Sequence, residues 1–496
     1  MSFVSLAFIS FFAVVMAGLW LAPSAWARQL LLLLASVWFY AFSRPAYLLV
    51  LAAPIFIDYF GAIRVEAARD RAIRKRWLAI CVTSNLLLLA YFKYANFFLK
   101  NISIFSSYPP KHLDIILPLG ISFFTFKSLS YVIDVYRGEL PACCSLWRYS
   151  LFITYFPDLI AGPIIRASAF LPQMNRSLRP SWQRTVEGCQ MIFLGLTKKL
   201  LIADQMAIFV DPVFASADDF SPLTVWSAVI AYSLQIYCDF SGYSDMAIGV
   251  SKIIGIDLPE NFNMPYLAVS PIDFWRRWHI TLSHWLRDYL FFSLPIDRAK
   301  PWKNYRNVAM TFLLSGLWHG AGWTFVCWGA LHGLALAANH WWSARGARVT
   351  PSTSMSGRFC CWLGTYLFVC LTWVFFRAEN LTAAFVILRK MAGIASGGVA
   401  WFYSPLLLVL PIVIVAHVIG IIAAPAAIPV TGAEAPWIAS VYREVHESFR
   451  VYSDPLSGIY VMLRRGFVGA FIATAWALVV LLFGSAGANP FVYFEF

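Results

Sequence analysis

An all-α, polytopic membrane bundle is the fold class this sequence predicts, and three observations predict it. Of 496 residues, 60% are apolar (AVILMFWYC) and only 13% are charged, whereas a soluble domain carries about 25% charged residues. Mean hydropathy is +0.68, and such a surface cannot face water everywhere, which excludes a soluble globular enzyme. The apolar residues fall in long runs, whereas an outer-membrane barrel would show short alternating segments. At about 20 residues per span, the apolar total sets a ceiling of roughly 15 spans.

The chain opens with three apolar segments, 3–22, 29–42 and 46–63, separated by a loop holding Arg28 and by the Ser43-Arg44-Pro45 break. Two of the three are near or below the usual span length, so tilt or kinking is expected. Arg64, Arg69, Arg71, Arg74, Lys75 and Arg76 form the densest basic cluster, which the positive-inside bias reads as a cytoplasmic loop over 64–76. Counting back places Arg28 inside and the N-terminus outside. Nothing before Arg28 is charged, so the first segment lacks a basic n-region and reads as a retained helix. The net charge of +13 is thereby assigned to topology, with no nucleic-acid partner; the partner implied is the lipid bilayer.

Further apolar runs follow near 77–98, 115–133, 149–172, 189–210, 222–238, 306–346, 359–376, 382–395, 402–427 and 466–484. No fixed-period repeat or linker divides them, which predicts one membrane domain over 1–496. Two regions depart from simple spans. Pro265–Leu294 mixes Asp273, Arg276, Arg277, His279, His284, Arg287 and Asp288 with Phe274, Trp275, Trp278, Trp285, Phe291 and Phe292, and at roughly 2.5–3.5 kcal/mol per charge at a helix centre it cannot be a plain span. It reads as interfacial or re-entrant, lining a polar cavity. The run 306–346 is too long for one upright span and should break at Gly320-Ala321-Gly322. A polar segment near 428–463, the Arg464-Arg465 pair and an aromatic ending over 489–496 complete the chain. They read as a solvated loop, an inside boundary and an interfacial segment.

Ionisable residues within spans are costly, so each is a functional candidate. His319 lies deep in an uncharged apolar run beside the glycine break, His279 follows Trp275-Arg276-Arg277-Trp278, and His332 sits in Leu331-His332-Gly333. A neutral imidazole in an apolar site suits acyl transfer, accepting a hydroxyl proton as that oxygen attacks a thioester carbonyl. The leaving thiol departs without a strong acid. A second polar group can orient the base or polarise the carbonyl, and His279 has the character for it. The structural reading of each histidine is a hydrogen bond to a neighbouring helix.

Asp239 and Asp245, flanking Phe240-Ser241-Gly242-Tyr243-Ser244, suit a broken helix around a cavity, or else hydrogen-bonded structural carboxylates. Lys198-Lys199 and Arg276-Arg277 have the charge to contact coenzyme A phosphates, though topology signals look the same. Trp275, Arg276, Arg277 and Trp278 are therefore candidate acyl-donor contacts, with Asp239, Asp245, Asp273 and His332 as supports behind the catalytic residues. The nine cysteines show no metal-type spacing and read as small packing residues.

Several motifs carry a resemblance. Leu117-Pro118-Leu119-Gly120-Ile121-Ser122-Phe123-Phe124-Thr125-Phe126, Ala161-Gly162-Pro163-Ile164, Asp239 through Ala247, Asp273 through His279 and Trp318-His319-Gly320 resemble the membrane-bound O-acyltransferases in order and spacing. With Trp373-Val374-Phe375-Phe376-Arg377-Ala378 and the Pro490–Phe496 ending, they look most like the bacterial alginate O-acetyltransferase subgroup. The motifs occupy a core of about 90–380 and leave C-terminal helices and an interfacial segment over about 381–496.

The resemblance implies a multi-pass bacterial inner-membrane bundle with helices around a central funnel. It implies a cytoplasmic acyl donor, acetyl-CoA or an acyl carrier protein, and no bound cofactor. It also implies partners: a periplasmic SGNH-type transferase and polysaccharide secretion machinery. The family's catalytic histidine maps onto His319 and its second active-site position onto His279. The teichoic acid D-alanyl transfer proteins share these motifs but are typically shorter, and peptidoglycan and cellulose acetylation members remain alternatives. From the residues alone, a solute or proton transporter and a noncatalytic scaffold also stand as alternatives.

Overall fold

The computed structural model describes residues 1–42, 44–103, 113–176, 178, 180–297, 300–344 and 354–423. The polar segment 428–463, the Arg464-Arg465 boundary, the last span 466–484 and the aromatic ending lie outside the described residues. The described chain falls into two compact units, one over Met1–Phe402 and one beginning at Tyr403. Among the described residues the secondary structure is helical, with a single isolated bridge, Phe220 to Val399.

Helices α1 (Leu6–Leu21) and α2 (Ala25–Ala41) open on Ser5 and Ser24, whose hydroxyls accept from the Phe8 and Ala27 N–H groups at 3.2 and 3.1 Å. Arg28 corrects the sequence reading. It lies inside α2, buried, and donates from Nε to Leu19 O (3.2 Å) and from Nη2 to Ala22 O (2.7 Å). It therefore satisfies carbonyls at the end of α1 rather than marking a loop.

The 64–76 loop is also shorter than expected. Helix α3 (Tyr47–Ala67) carries Arg64, α4 (Arg71–Leu89) carries the cluster from Arg71 to Arg76, and Asp70 caps α4 by accepting from Ala72 N at 2.8 Å. A π turn over Ala90–Tyr94 joins α4 to α5 (Ala95–Ile102).

Helix α6 (Ile121–Arg137) and α7 (Leu146–Thr154) follow, then α8 (Ala167–Phe170). The expected span 149–172 is interrupted, because residues 155–166 form a buried irregular stretch containing Pro157 and Pro163. Its backbone is paid for by side chains: Phe156 N donates to Ser36 Oγ at 3.2 Å and Ile164 N to Thr281 Oγ1 at 3.0 Å.

Helix α9 (Trp182–Leu196) continues through a π turn, Thr197–Ala203, into α10 (Asp204–Ala215). Helix α11 (Pro222–Ile254) runs 33 residues without interruption, so the break expected at Asp239–Asp245 does not occur. The carboxylates are neutralised in place: Lys198 Nζ lies 2.6 Å from Asp245, and Lys199 Nζ lies 2.7 Å from Asp239 and 3.0 Å from Asp204. These contacts match the structural reading of both pairs. The backbones of α9 and α11 touch at two glycine pairs seven residues apart. A Cβ on Gly188 would come within 2.5 Å of Gly249 O, and one on Gly195 within 2.4 Å of Gly242 O.

After α11 come two short helices, α12 (Pro271–Arg277) and α13 (Ile280–Trp285), the latter continuing into a π turn over Leu286–Leu290. This is the non-spanning region the charges demanded. The 306–346 run breaks where expected, into α14 (Pro301–His319) and α15 (Trp323–Ala344). Helices α16 (Met355–Arg377), α17 (Leu381–Met391) and, in the second unit, α18 (Pro405–Ala423) complete the described chain. By length and composition α3, the rod Arg71–Ile102 and α16 are each long and apolar enough to cross a membrane.

The reciprocal glycine contacts generate a stability prediction. Gly242→Val places its side chain against Gly195 O, 2.7 Å from the Cβ position, and is expected to destabilise the protein by about 1–3 kcal/mol. The check is the Tm of the purified protein in detergent; an unchanged Tm would mean that α9 and α11 do not pack backbone to backbone.

Candidate active site

His319 is the last residue of α14, and Gly320 leaves the helix in extended conformation. Two features fix this corner. Gly316 and Gly329 let α14 and α15 meet at their backbones, since a Cβ on either would come within 2.2 Å of Phe325 O or 2.4 Å of Phe312 O. The carbonyls exposed at the end of α14 are then capped from outside: Tyr94 Oη donates to Leu317 O (2.7 Å), and Lys93 Nζ donates to Trp318 O (2.6 Å) and His319 O (2.9 Å). Both caps come from the π turn between α4 and α5.

The buried His319 ring is held by edge contacts to Trp318 (4.8 Å between centroids), Trp328 (5.0 Å) and Phe376 (5.3 Å). His319 lines a half-open cavity of about 90 Å³ together with Lys93, Trp318, Ile160 and the segment Leu117–Phe123. That segment turns through Gly120, at φ +72°, into the N-terminus of α6.

His279 joins α12 to α13 at φ +43°, a left-handed conformation that costs a side-chain-bearing residue of order 1–3 kcal/mol. Asn261 holds it there. Its Oδ1 accepts from His279 Nδ1 (3.0 Å), Thr281 N (3.3 Å) and Thr281 Oγ1 (2.9 Å), while its Nδ2 donates to Ser244 Oγ (3.2 Å). Because Oδ1 only accepts, the His279 proton is on Nδ1 and the lone pair on Nε2. Nε2 is buried and has no hydrogen-bond partner among the described residues.

His332 has the opposite arrangement. Its Nδ1 accepts from Trp275 Nε1 (3.2 Å), and its Nε2 donates to Thr372 Oγ1 (3.0 Å), whose own proton goes to Val369 O (2.8 Å). Both ring nitrogens are engaged, so His332 ties α12, α15 and α16 together and has no lone pair to offer a substrate. Trp328 bridges the His319 and His332 rings, at 5.0 and 4.9 Å.

The remaining candidates separate. Trp275 and Trp278 are interior residues, Trp278 lying against Phe262 (5.1 Å), Phe274 (5.6 Å) and Trp373 (5.0 Å). Arg276 is exposed, and Arg277 pairs with Asp273 one turn back at 2.9 Å. Asp239 and Asp245 belong to the lysine pairs on α9–α11. Lys93, Tyr94 and Asn261 are the residues that sequence reasoning missed. An intramembrane lysine in Phe92-Lys93-Tyr94 was the available signal.

With this geometry in hand, a family model described as MBOAT, membrane-bound O-acyltransferase family, matches residues 78–385. The chain belongs to the membrane-bound O-acyltransferase family. It is 43% identical over 399 residues to "Probable alginate O-acetylase AlgI" of Pseudomonas aeruginosa, covering 79% of this chain and 75% of that protein. It is 39% identical over 402 residues to "Peptidoglycan O-acetyltransferase" of Helicobacter pylori, covering 75% and 74%. To "Teichoic acid D-alanyltransferase" of Bacillus subtilis it is 32% identical over 251 residues, covering 48% and 64%. The protein is thus a membrane-embedded O-acyltransferase, and the family match contains Lys93, Asn261, His279, His319 and His332.

The two hydrogen-bond patterns predict opposite tautomers within this O-acyltransferase. In ¹⁵N spectra of histidine-labelled protein, assigned by single substitutions, His279 should appear as the Nδ1–H form and His332 as the Nε2–H form. Matching tautomers would contradict one of the two networks.

Proposed function

We propose that the protein transfers an acetyl group from a cytoplasmic thioester, acetyl-CoA or an acetylated acyl carrier protein, for O-acetylation of an extracytoplasmic polysaccharide, with His319 as the general base. The observation that carries the reading is the placement of His319: an imidazole at a helix break, held by an aromatic cluster and facing a half-open cavity. In that setting the hydroxyl of the acceptor gives its proton to His319 while its oxygen attacks the thioester carbonyl. The tetrahedral intermediate collapses with loss of the thiolate, which recovers the proton. Trp318, Trp328 and Phe376 limit the rotation of the ring, so the base is oriented before substrate arrives.

His279 is the second polar group of this reading, with a buried Nε2 lone pair to accept from the acceptor hydroxyl or from an intervening water. Its strained backbone, paid for by Asn261, fits a residue held for function rather than packing. The exposed Arg276 is the best of the expected donor contacts, as a guanidinium that can reach coenzyme A phosphates. An acetyl group is favoured over D-alanine because the similarity to the two acetylating relatives extends over three quarters of this chain and more, against under half for the D-alanyltransferase. The reading places the protein in a bacterial inner membrane, with the N-terminus periplasmic. It pairs the protein with a periplasmic SGNH-type transferase and polysaccharide secretion machinery.

His319→Ala is expected to lower acyl transfer at least about 100-fold, the low end for loss of a general base, with membrane abundance unchanged. Thioester consumption by the purified protein measures it, and near-normal turnover would refute the assignment. In cells, mass spectrometry of the envelope polymer should lose the mass of an acetyl substituent when the chain is absent. An unchanged polymer spectrum would overturn the assignment of the acceptor.

A further inference from the structure

We propose that Lys93 is a catalytic residue of this transfer, donating an N–H to the thioester carbonyl oxygen as negative charge develops on it. The proposal rests on the reading of His319 as base and adds the group that answers it electrically. An ammonium carries three N–H donors. Two of those on Lys93 go to Trp318 O and His319 O, at 2.6 and 2.9 Å, and the residue lines the same cavity as His319. The ammonium also lies over the Trp318 ring, 5.9 Å from its centroid, and the third N–H is the one the proposal assigns to the substrate.

Capping alone does not account for a charge here. Tyr94, the next residue, caps Leu317 O with a neutral hydroxyl at 2.7 Å. Lys390 shows what a wholly structural lysine looks like in this protein: its three donors go to Asp218 O, Phe220 O and Gly397 O, at 2.9, 3.0 and 3.1 Å. Lys93 has two carbonyl acceptors where Lys390 has three, its ammonium also lies over the Trp318 ring, and it lines the cavity that His319 lines. Burying a cation is expensive, and the carbonyl end of α14 offsets part of the cost. Across the cavity Gly120 turns the chain into the N-terminus of α6, whose partial positive charge adds to the field at the same place. The lysine also stands on a π turn, a helical irregularity that recurs at functional sites.

The chemistry balances without a further reactant. The acceptor O–H bond breaks, its proton goes to the His319 imidazole, and the new C–O bond forms as the carbonyl π pair moves onto oxygen, where the Lys93 N–H meets it. When the C=O bond re-forms, the C–S bond breaks, and the departing thiolate takes the proton from the His319 imidazolium. Since the two carbonyls that orient Lys93 belong to His319 and its neighbour, base and charge-stabilising donor are fixed to one another.

The test uses the full-length protein in lipid nanodiscs and follows thiol release from acetyl-CoA or acetyl-acyl carrier protein, whichever the unaltered protein accepts, beside the corresponding fluoroacetyl donor. Lys93→Met should lower kcat by about 100-fold or more while KM stays within about threefold, in the range for loss of an oxyanion donor. The deficit should shrink about tenfold with the fluoroacetyl donor, whose less basic oxyanion depends less on the hydrogen bond. A structural lesion would depress both donors alike. Lys93→Arg, which keeps charge and donors, should recover activity over Lys93→Met. Lys93→Gln carries the same donor comparison if Lys93→Met does not reach the membrane. The acetyl content of the envelope polymer, at equal membrane abundance of each variant, gives a readout that does not depend on the donor supplied. Equal deficits with both donors, or Lys93→Met turnover within about threefold of the unaltered protein, would overturn the proposal. His319→Gln run in parallel separates the two readings: loss with His319→Gln alone removes only the lysine role, and loss with Lys93→Met alone removes only the base assignment.

Discussion

In an apolar medium every carbonyl left over at the end of a helix must find a donor, and this requirement organises the protein. Water would meet it in a soluble fold; within a membrane the chain has to supply its own groups. Three basic residues do so. Arg28 closes the end of α1, Lys93 with Tyr94 closes the end of α14, and Lys390 gathers the carbonyls of the turn before α11 and of the loop after α17. In each case the cation also gains from the negative end of backbone dipoles, which lowers the cost of holding charge away from water. A helix can therefore stop in the interior and present its last side chain to a cavity, and His319 is such a side chain.

The other buried charges obey the same rule by pairing. Lys127 and Asp158 are both fully buried, 2.9 Å apart, with the ammonium over the Phe152 and Phe170 rings at 5.0 and 5.9 Å. Lys199 is shared between Asp204 and Asp239. Removing one member of such a pair leaves an uncompensated buried charge, so these groups are mutually obligatory whatever their net contribution to stability. That separates them from the histidines proposed for catalysis, since a neutral imidazole can be desolvated at lower cost than an ion. The cavity can thus be apolar enough to strengthen hydrogen bonds to a developing oxyanion while the framework around it still holds many ionisable groups.

Composition and run length made the fold class legible, because a chain this poor in charge has one way to avoid water. The break at Gly320–Gly322 and the non-spanning character of Pro265–Leu294 were legible for the same reason: one run was too long for a span and the other too charged. Readings failed where a charge had a tertiary partner. Arg28 looked like a loop marker because its acceptors, Leu19 O and Ala22 O, are backbone groups that carry no sequence signature. Asp239 and Asp245 were legible as structural carboxylates, but the helix break weighed beside that reading does not occur, and their partners Lys198 and Lys199 lie 40 or more positions earlier in the chain. His319 and His279 were found as costly intramembrane groups. Of the groups that orient them, Asn261 is a single amide with no pattern around it, and Lys93 could be recognised only as an unexplained cation in a span.

The contrast between the three buried histidines follows from how each backbone is held. His332 sits mid-helix in α15, where neighbouring helices on both sides can reach its ring, and both nitrogens are taken. His279 and His319 stand at helix boundaries, one in a left-handed link and the other at a helix end. At the second of these the chain turns away into a cavity that His319 lines, whereas His279 stays fully buried against Phe240. A helix boundary strips the backbone of its helical partners, so each one needs an outside donor or acceptor: Asn261 at the first, Lys93 and Tyr94 at the second. An imidazole proposed for the chemistry therefore comes as a pair here, the ring itself and the polar residue that makes its position tenable. Substituting the second member should resemble substituting the first in its effect on chemistry more closely than its effect on folding would suggest.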